Sequence, residues 1–332
     1  MEEIITLDYG SGGKKTSRLI EEMLLPHIGN EALDQLGDGA ILPGGEKLVF
    51  STDSFVVSPL FFPGGNIGKL SVCGTVNDVS VCGGEVKYLS LSFIIEEGLP
   101  VATLREIIAA IADTAKKCGV QIVTGDTKVV ERGKADGIYI NTAGIGILRY
   151  PGLSPEAIRE GDAVLVSGTV GDHGAAVMLA RGGLLEGEVK SDCAPLNALC
   201  RAILDSGAAV RVLRDPTRGG VATTLCEFVE GSELTIELEE DAVPVSEAVA
   251  GACDLLGLDP LYCANEGKLL CVCAPEDAEK VLAAMKTMPE GVNAAVIGRV
   301  TAAHPGRVTV RTAFGGSRVV QKLTGALLPR IC

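Results

Sequence analysis

The chain has 332 residues, room for two domains of ordinary size, and is 47% hydrophobic, so a substantial core needs no covalent staples. A net charge of −14 with no basic block argues against nucleic acid as a partner. No apolar run approaches the roughly 18–20 residues of a membrane span, and the acidic start, Met1-Glu2-Glu3-Ile4, has no signal-peptide pattern. The 11 cysteines lack CxxC metal spacing and read as reduced thiols of a cytoplasmic protein.

Taken in chain order, residues 8–15 form a glycine-rich segment, Asp8-Tyr9-Gly10-Ser11-Gly12-Gly13-Lys14-Lys15, followed by a helix over 16–26. Between 36 and 57 the pattern turns to strand, with the β-branched, apolar run Leu48-Val49-Phe50-Ser51-Thr52-Asp53 at its centre. A helix of small residues is predicted over 66–82, a strand over 86–96, a strong helix over 103–118, and strands over 121–130 and 137–148. This order is that of an α/β or α+β domain. Tyr150-Pro151-Gly152-Leu153-Ser154-Pro155 breaks the pattern and marks the domain boundary, so the expected units are 1–150, 151–322 and a tail, 323–332. The second unit opens on a strand over 161–168. Helices follow over 172–181, 194–206, 219–230, 244–255 and 275–287, and strands over 233–238, 268–273, 293–300 and 307–312. His27, His173 and His304 lie far apart and read as surface or cap residues rather than a metal site.

Five aspartates sit beside Gly, Thr or Asn at strand ends: Asp38, Asp53, Asp78, Asp126 and Asp215. Any one of them alone reads as a turn or helix cap. Five together, beside a Gly-Gly-Lys loop, point to a site where Mg²⁺ bridges nucleotide phosphates, because converging carboxylates repel unless a cation joins them. The loop is not a Walker motif, since it lacks the GxxxxGK(S/T) spacing, and GxGxxG is also absent. Backbone N–H groups of the glycine segment, Gly12 and Gly13 among them, could still close over a triphosphate, with Lys14 or Lys15 adding charge. The chain ends Leu327-Leu328-Pro329-Arg330-Ile331-Cys332, which places a thiol on a segment that a hinge near Gly325 can swing. Ten extended residues span up to about 33 Å, enough to carry Cys332 into a cleft of its own chain and out to a partner.

The ordered motifs GSGGK (10–14), GDGA (37–40), STDSF (51–55), NDVS (77–80), TGDTK (124–128), DPTRGG (215–220), NEGKLL (265–270) and PRIC (329–332) resemble those of the HypE hydrogenase maturation factors. These are carbamoyl dehydratases of the PurM-like ATP-binding superfamily. The resemblance covers 8–332; the aspartate motifs mark the superfamily and the terminal PRIC marks HypE. It implies two α/β domains, with the N-terminal sheets of two subunits pairing into a barrel-like homodimer core. It also implies ATP in a cleft between the domains.

The implied chemistry begins with HypF placing a carbamoyl group on Cys332. ATP-dependent dehydration then leaves a thiocyanate, whose cyanide passes to iron on a HypC–HypD complex during NiFe-hydrogenase maturation. By the resemblance Glu266 is the catalytic glutamate and Lys128 its partner lysine, with Cys332 the acceptor. Thr52, Arg218, Gly219 and Gly220 join the nucleotide site with Gly12, Gly13, Lys14, Asp38, Asp53, Asp78 and Asp126, while Asp38, Asp53, Asp78, Asp126 and Asp215 serve the metal. Asp126 and Lys128 are two apart on a strand and so project to one face. The alternative is another enzyme of the superfamily, of the thiamine-monophosphate kinase or purine-pathway type, which needs no terminal cysteine. Selenophosphate synthetase needs a reactive Cys near the glycine loop, whereas the first cysteine here is Cys73. A non-catalytic carrier would accept the group on Cys332 without using ATP.

Overall fold

The computed structural model describes residues 13–19, 21–22, 40–44, 46–182 and 189–325. After helix α1 (Lys14–Leu19), strands β1 (Ala40–Gly44) and β2 (Glu46–Phe55) lead through the short pair β3 (Phe61–Phe62) and β4 (Gly65–Asn66) into helix α2 (Ile67–Val81). Strand β5 (Gly84–Glu96), helix α3 (Val101–Cys118), β6 (Gln121–Val130) and β7 (Ile138–Leu148) complete the first half. Its sheet runs β1-β2-β7-β5-β6, with β5 and β6 parallel and the other neighbours antiparallel.

Helix α2 organises this half. Asn66 caps it by accepting a hydrogen bond from the Lys69 backbone N–H at 3.0 Å. Every residue of α2 except Lys69 and Asp78 is buried, which its small and β-branched residues allow on all sides. Ile67, Leu70, Val76 and Val79 join the core formed with Val49, Leu89 and Ile107. Each such side chain contributes about 1.5–3 kcal/mol when fully buried. Gly74 sets how closely α2 approaches β2, since a Cβ there would lie 2.8 Å from the Phe55 ring.

The second half contains β8 (Ala163–Val166), α4 (Asp172–Gly182), α5 (Asn197–Asp205), β9 (Val210–Arg214), α6 (Gly220–Val229) and β10 (Thr235–Glu239). Helix α7 (Glu247–Leu256), β11 (Leu270–Cys273), α8 (Ala278–Lys286), β12 (Ala295–Thr301), β13 (Arg307–Arg311) and β14 (Ser317–Val320) follow. The sheet order is β14-β13-β10-β12-β8-β11-β9. The expected break at 150–155 falls between β7 and β8.

The halves are stitched through α2. Asn77 is fully buried, donates to the Ala194 carbonyl at 3.1 Å and accepts from the Leu196 N–H at 2.7 Å. Val177, Cys193 and Ala264 of the second half belong to the first half's core.

Most expected elements stand within a few residues of their predicted ends. Strands β9 and β14 were not expected, because Arg211, Arg214 and Arg318 hide their short apolar alternation. His173 corrects the surface reading: it is fully buried, edge-on to Phe62, with Nδ1 2.8 Å from Ser191 Oγ. His304 is exposed, and His27 lies outside the described residues. The ten described cysteines are free thiols, with Cys271 and Cys273 buried on β11. Among the described residues no helix is long and apolar enough to cross a membrane.

Candidate active site

A polar cavity of about 220 Å³ opens where the two halves meet. Strand β2 supplies Thr52, Asp53 and Ser54. Alternation along β2 turns Val49, Ser51 and Phe55 toward α2, so the same register delivers Asp53 beside Gly74. Helix α2 supplies Gly74 and Asp78, one turn apart and therefore on one face. The turn after β9 brings Asp215, Thr217 and Arg218, and the loop before β11 brings Glu266.

Hydrogen bonds fix these walls. Ser51 Oγ donates to Asp78 Oδ2 at 2.7 Å. Asn141 Nδ2 on β7 donates to the Asp53 carbonyl at 2.8 Å and to Ser54 Oγ at 3.0 Å, holding the Thr-Asp-Ser stretch in register. The Asn265 N–H and its Nδ2 both donate to the Pro216 carbonyl, at 3.1 and 3.0 Å, which ties the Asp-Pro-Thr turn to the Asn-Glu-Gly turn. Gly219 and Gly220 have φ of 78° and 61°, the left-handed region that side chains other than hydrogen disfavour. A Cβ on Gly220 would lie 2.5 Å from the carbonyls of Leu261 and Cys263, so the glycine pair also lets the Arg218 turn close on the loop leading to Glu266.

Glu266 is 2% exposed. Its N–H and that of Gly267 donate to the two oxygens of Asp192, at 3.0 and 3.2 Å, and Lys268 Nζ lies 3.5 Å from the same carboxylate. Burial pushes the Glu266 carboxyl well above its ordinary range, and nearby Cys193, Asp215, Asp53 and Asp192 add to the rise. Burial also pushes Asp53 up, with the Arg218 guanidinium pulling the other way. The cavity wall therefore gathers four carboxyl groups, of which Asp215 and Glu266 are buried.

That donor set fits a hard divalent cation, which prefers carboxylate oxygen. Among the described residues no three His, Cys, Asp or Glu side chains are placed to hold one ion directly. A cation here would take one or two carboxylates and complete its shell with phosphate oxygens and water, as magnesium does.

Thr52, Asp53, Asp78, Asp215, Arg218 and Glu266 are thus brought to one cavity. Asp126 and Lys128 are not: they lie on β6, the edge strand of the first sheet, exposed and paired with each other at 3.3 Å. Gly13 and Lys14 pack instead on the start of the tail. The Lys14 N–H donates to the Leu323 carbonyl at 2.9 Å, and a Cβ on Gly13 would meet that oxygen at 2.3 Å. Gly12, Asp38 and Cys332 lie outside the described residues. Ser54 and Thr217 belonged to motifs already singled out. Asp192, the residue that holds Glu266, carries no sequence signal, being 74 residues away in a stretch without pattern.

Residues 36–148 match the family model described as AIR synthase related protein, N-terminal domain, and residues 159–311 match the corresponding C-terminal domain. A protein of Azotobacter vinelandii named carbamoyl dehydratase HypE is 49% identical over 333 residues, covering 99% of this chain and 97% of that one. A crystal structure of HypE in complex with ATP is 48% identical with a TM-score of 0.83, covering 99% of this chain and 100% of that one. A HypE–HypF complex contains a chain 48% identical with a TM-score of 0.87, covering 92% of this chain and 99% of that one. The thiamine monophosphate kinase of Aquifex aeolicus, at 20% identity and a TM-score of 0.67, shares the fold alone. The chain belongs to the carbamoyl dehydratase HypE family, a branch of the AIR synthase related proteins.

Proposed function

We propose that this protein uses ATP and Mg²⁺ to dehydrate a carbamoyl group carried on the thiol of Cys332, leaving a thiocyanate that supplies cyanide for NiFe-hydrogenase maturation. The observation that carries the reading is Glu266, a carboxyl 2% exposed in the wall of a cavity that also holds Asp53, Asp78 and Asp215. ATP, bound with magnesium, supplies the phosphoryl group that turns the carbamoyl oxygen into a leaving group.

The chain's own residues do the rest. Asp53, Asp78 and Asp215 hold the cation, and Arg218 offsets charge on the phosphate oxygens. The carbamoyl nitrogen must lose both protons: one passes to solvent once its oxygen carries the phosphoryl group, and Glu266 accepts the other on its carboxylate oxygen as the C–O bond breaks and inorganic phosphate leaves. Its raised pKa makes it a stronger base than an exposed glutamate. Asp192 keeps the Glu266 backbone in place through two N–H bonds.

HypF is the carbamoyl donor and a HypC–HypD complex the cyanide acceptor in this reading, and the setting is the cytoplasm. A second copy of the chain covers the outer face of the first sheet. Phe50, Ile145 and Tyr88 lie side by side across β2, β7 and β5, 38%, 39% and 47% exposed, with Ile94 exposed on the same face further along β5. Such a contiguous apolar face is the mark of an interface. Asp126 and Lys128 stand on the edge of that face, so a second copy brings them under cover. We assign Lys128 the task of countering charge on the transferred phosphoryl group there.

Asp78→Asn and Asp215→Asn should each weaken Mg-ATP binding on the order of tenfold or more in calorimetry; unchanged affinity in both variants would sink the proposed metal–nucleotide site. Light scattering should find the native chain as two copies and the Tyr88→Lys/Ile145→Lys variant as one, while a variant that stays at two copies would remove the proposed interface.

Glu266 also predicts a pH effect. Its folded-state pKa lies above the ordinary 4.5, so between those two values the folded chain binds more protons than the unfolded one. Stability therefore falls as pH rises through that window. Glu266→Gln keeps the shape and removes the charge. Its melting temperature should exceed that of the native chain by a margin that grows as pH rises above the ordinary carboxyl value of 4.5. A margin independent of pH would contradict the buried-carboxyl account.

A further inference from the structure

A second and larger cavity, of about 740 Å³, lies between the two halves on the opposite side of α2's C-terminal end. Helix α2 presents Gly74 and Asp78 to the first cavity and Ser80 to the second, and Ser80 is about 200° round the helix from Asp78, so the two spaces are distinct. The walls come from both halves: the ends of α3 and β7, the start of β5, and helix α5. Asn197 Nδ2 joins α5 to the end of α3 by donating to the Cys118 carbonyl at 2.9 Å. Tyr150 Oη reaches Asp205 at 2.6 Å, tying β7's end to that of α5. The cleft is therefore preformed rather than a gap between loose parts.

Its charge is opposite to that of the chain. Lys87, Lys116, Lys117, Arg149 and Arg201 line it, and among the described residues Glu85 is the one carboxylate in its wall, an excess of four positive charges in a protein of net −14. Glu85 is already shared, accepting from Lys87 and, at 2.9 Å, from Arg149 Nε. Lys116 and Lys117 stand in the last turn of α3, where cations complement the helix's terminal carbonyls. That role accounts for those two but not for Arg149 and Arg201, which converge from β7 and α5. Beneath the cations lies an apolar floor that includes Val86, Cys118, Cys200 and Leu204.

We infer that this cleft is a second ligand site, for a small organic anion bearing at least two negative charges. The volume matches a small-molecule site, as does its place between domains, and the arrangement offers cations at the rim for phosphate or carboxylate groups and an apolar floor for the carbon body. An occupant would cross-link the halves on either side of α2, the helix that carries Asp78.

The test is calorimetric titration of the full chain with fructose 1,6-bisphosphate and, separately, with citrate. A non-hydrolysable ATP analogue and Mg²⁺ are kept saturating so that the first cavity is filled. At least one probe should bind, which also tells phosphate from carboxylate preference. Affinity should fall by about tenfold or more in Lys117→Glu/Arg201→Glu, where both positions are exposed and remote from the first cavity. The milder Lys117→Gln/Arg201→Gln should show a smaller loss and guards against a charge-reversal folding defect, which a melting curve would reveal. Equal affinity in native and variant chains overturns the proposal, as does failure of both probes to bind. If neither probe binds but the charge reversal weakens association with HypF, the cleft is a protein contact and not a small-ligand site.

Discussion

Carboxyl groups crowd together in this protein, two of them, Asp215 and Glu266, buried away from water. Asp53, Asp78, Asp215 and Glu266 share one small cavity, and burial drives the Glu266 and Asp53 carboxyls up. Isolated from any cation, such a cluster costs stability, because each charge is desolvated and repelled by the next. A fold retains it when something positive arrives during function. Among the described residues Arg218 is the one basic side chain in the wall, and the carboxylate set suits a divalent ion carried by phosphates.

The architecture is arranged around delivering those groups. A helix buried on nearly all sides carries a single aspartate, and Ser51 of the neighbouring strand grips it. Gly74 allows that helix to reach β2, so Asp53 and Asp78 arrive from different elements at the same wall. The Gly219-Gly220 turn and Asn265 do the equivalent work in the second half, clamping the Asp215 turn against the Glu266 loop. Asn77 then locks the halves across the core, which fixes the distance between the two sets of carboxylates. Catalytic geometry of this sort depends on packing at several remote contacts, and not on the acidic residues alone.

Much of this was legible in the chain. The α2 segment reads as a helix because its small apolar residues continue without a turn signal, and β6 and β7 read as strands from their alternation. The aspartate motifs point to one shared site, and Thr52, Asp53, Asp78, Asp215, Arg218 and Glu266 line one cavity. What could not be read is long-range. Asp192 grips Glu266 from 74 residues away with no motif of its own. His173 looks like any polar residue at a helix start, yet it is sealed in the core against Phe62 because Ser191 satisfies its ring nitrogen. Local pattern put Asp126 and Lys128 on one strand but could not say that the strand is a sheet edge, since edge position depends on which neighbours pair. The cationic cleft was invisible for the same reason: its five basic residues come from three separate elements and the turn after β7.

The central claim is that buried Glu266 takes the proton whose loss converts a carbamoylated Cys332 to a thiocyanate. The direct measurement is intact mass of the chain after incubation with HypF, carbamoyl phosphate and Mg-ATP, in native protein and in Glu266→Gln. The account predicts that the native chain gains one carbamoyl group on Cys332 and then becomes lighter by one water. The variant should bind ATP and stop at the carbamoyl adduct. Conversion in Glu266→Gln at the native rate, or no adduct on Cys332 in either protein while ATP is still consumed, would contradict it.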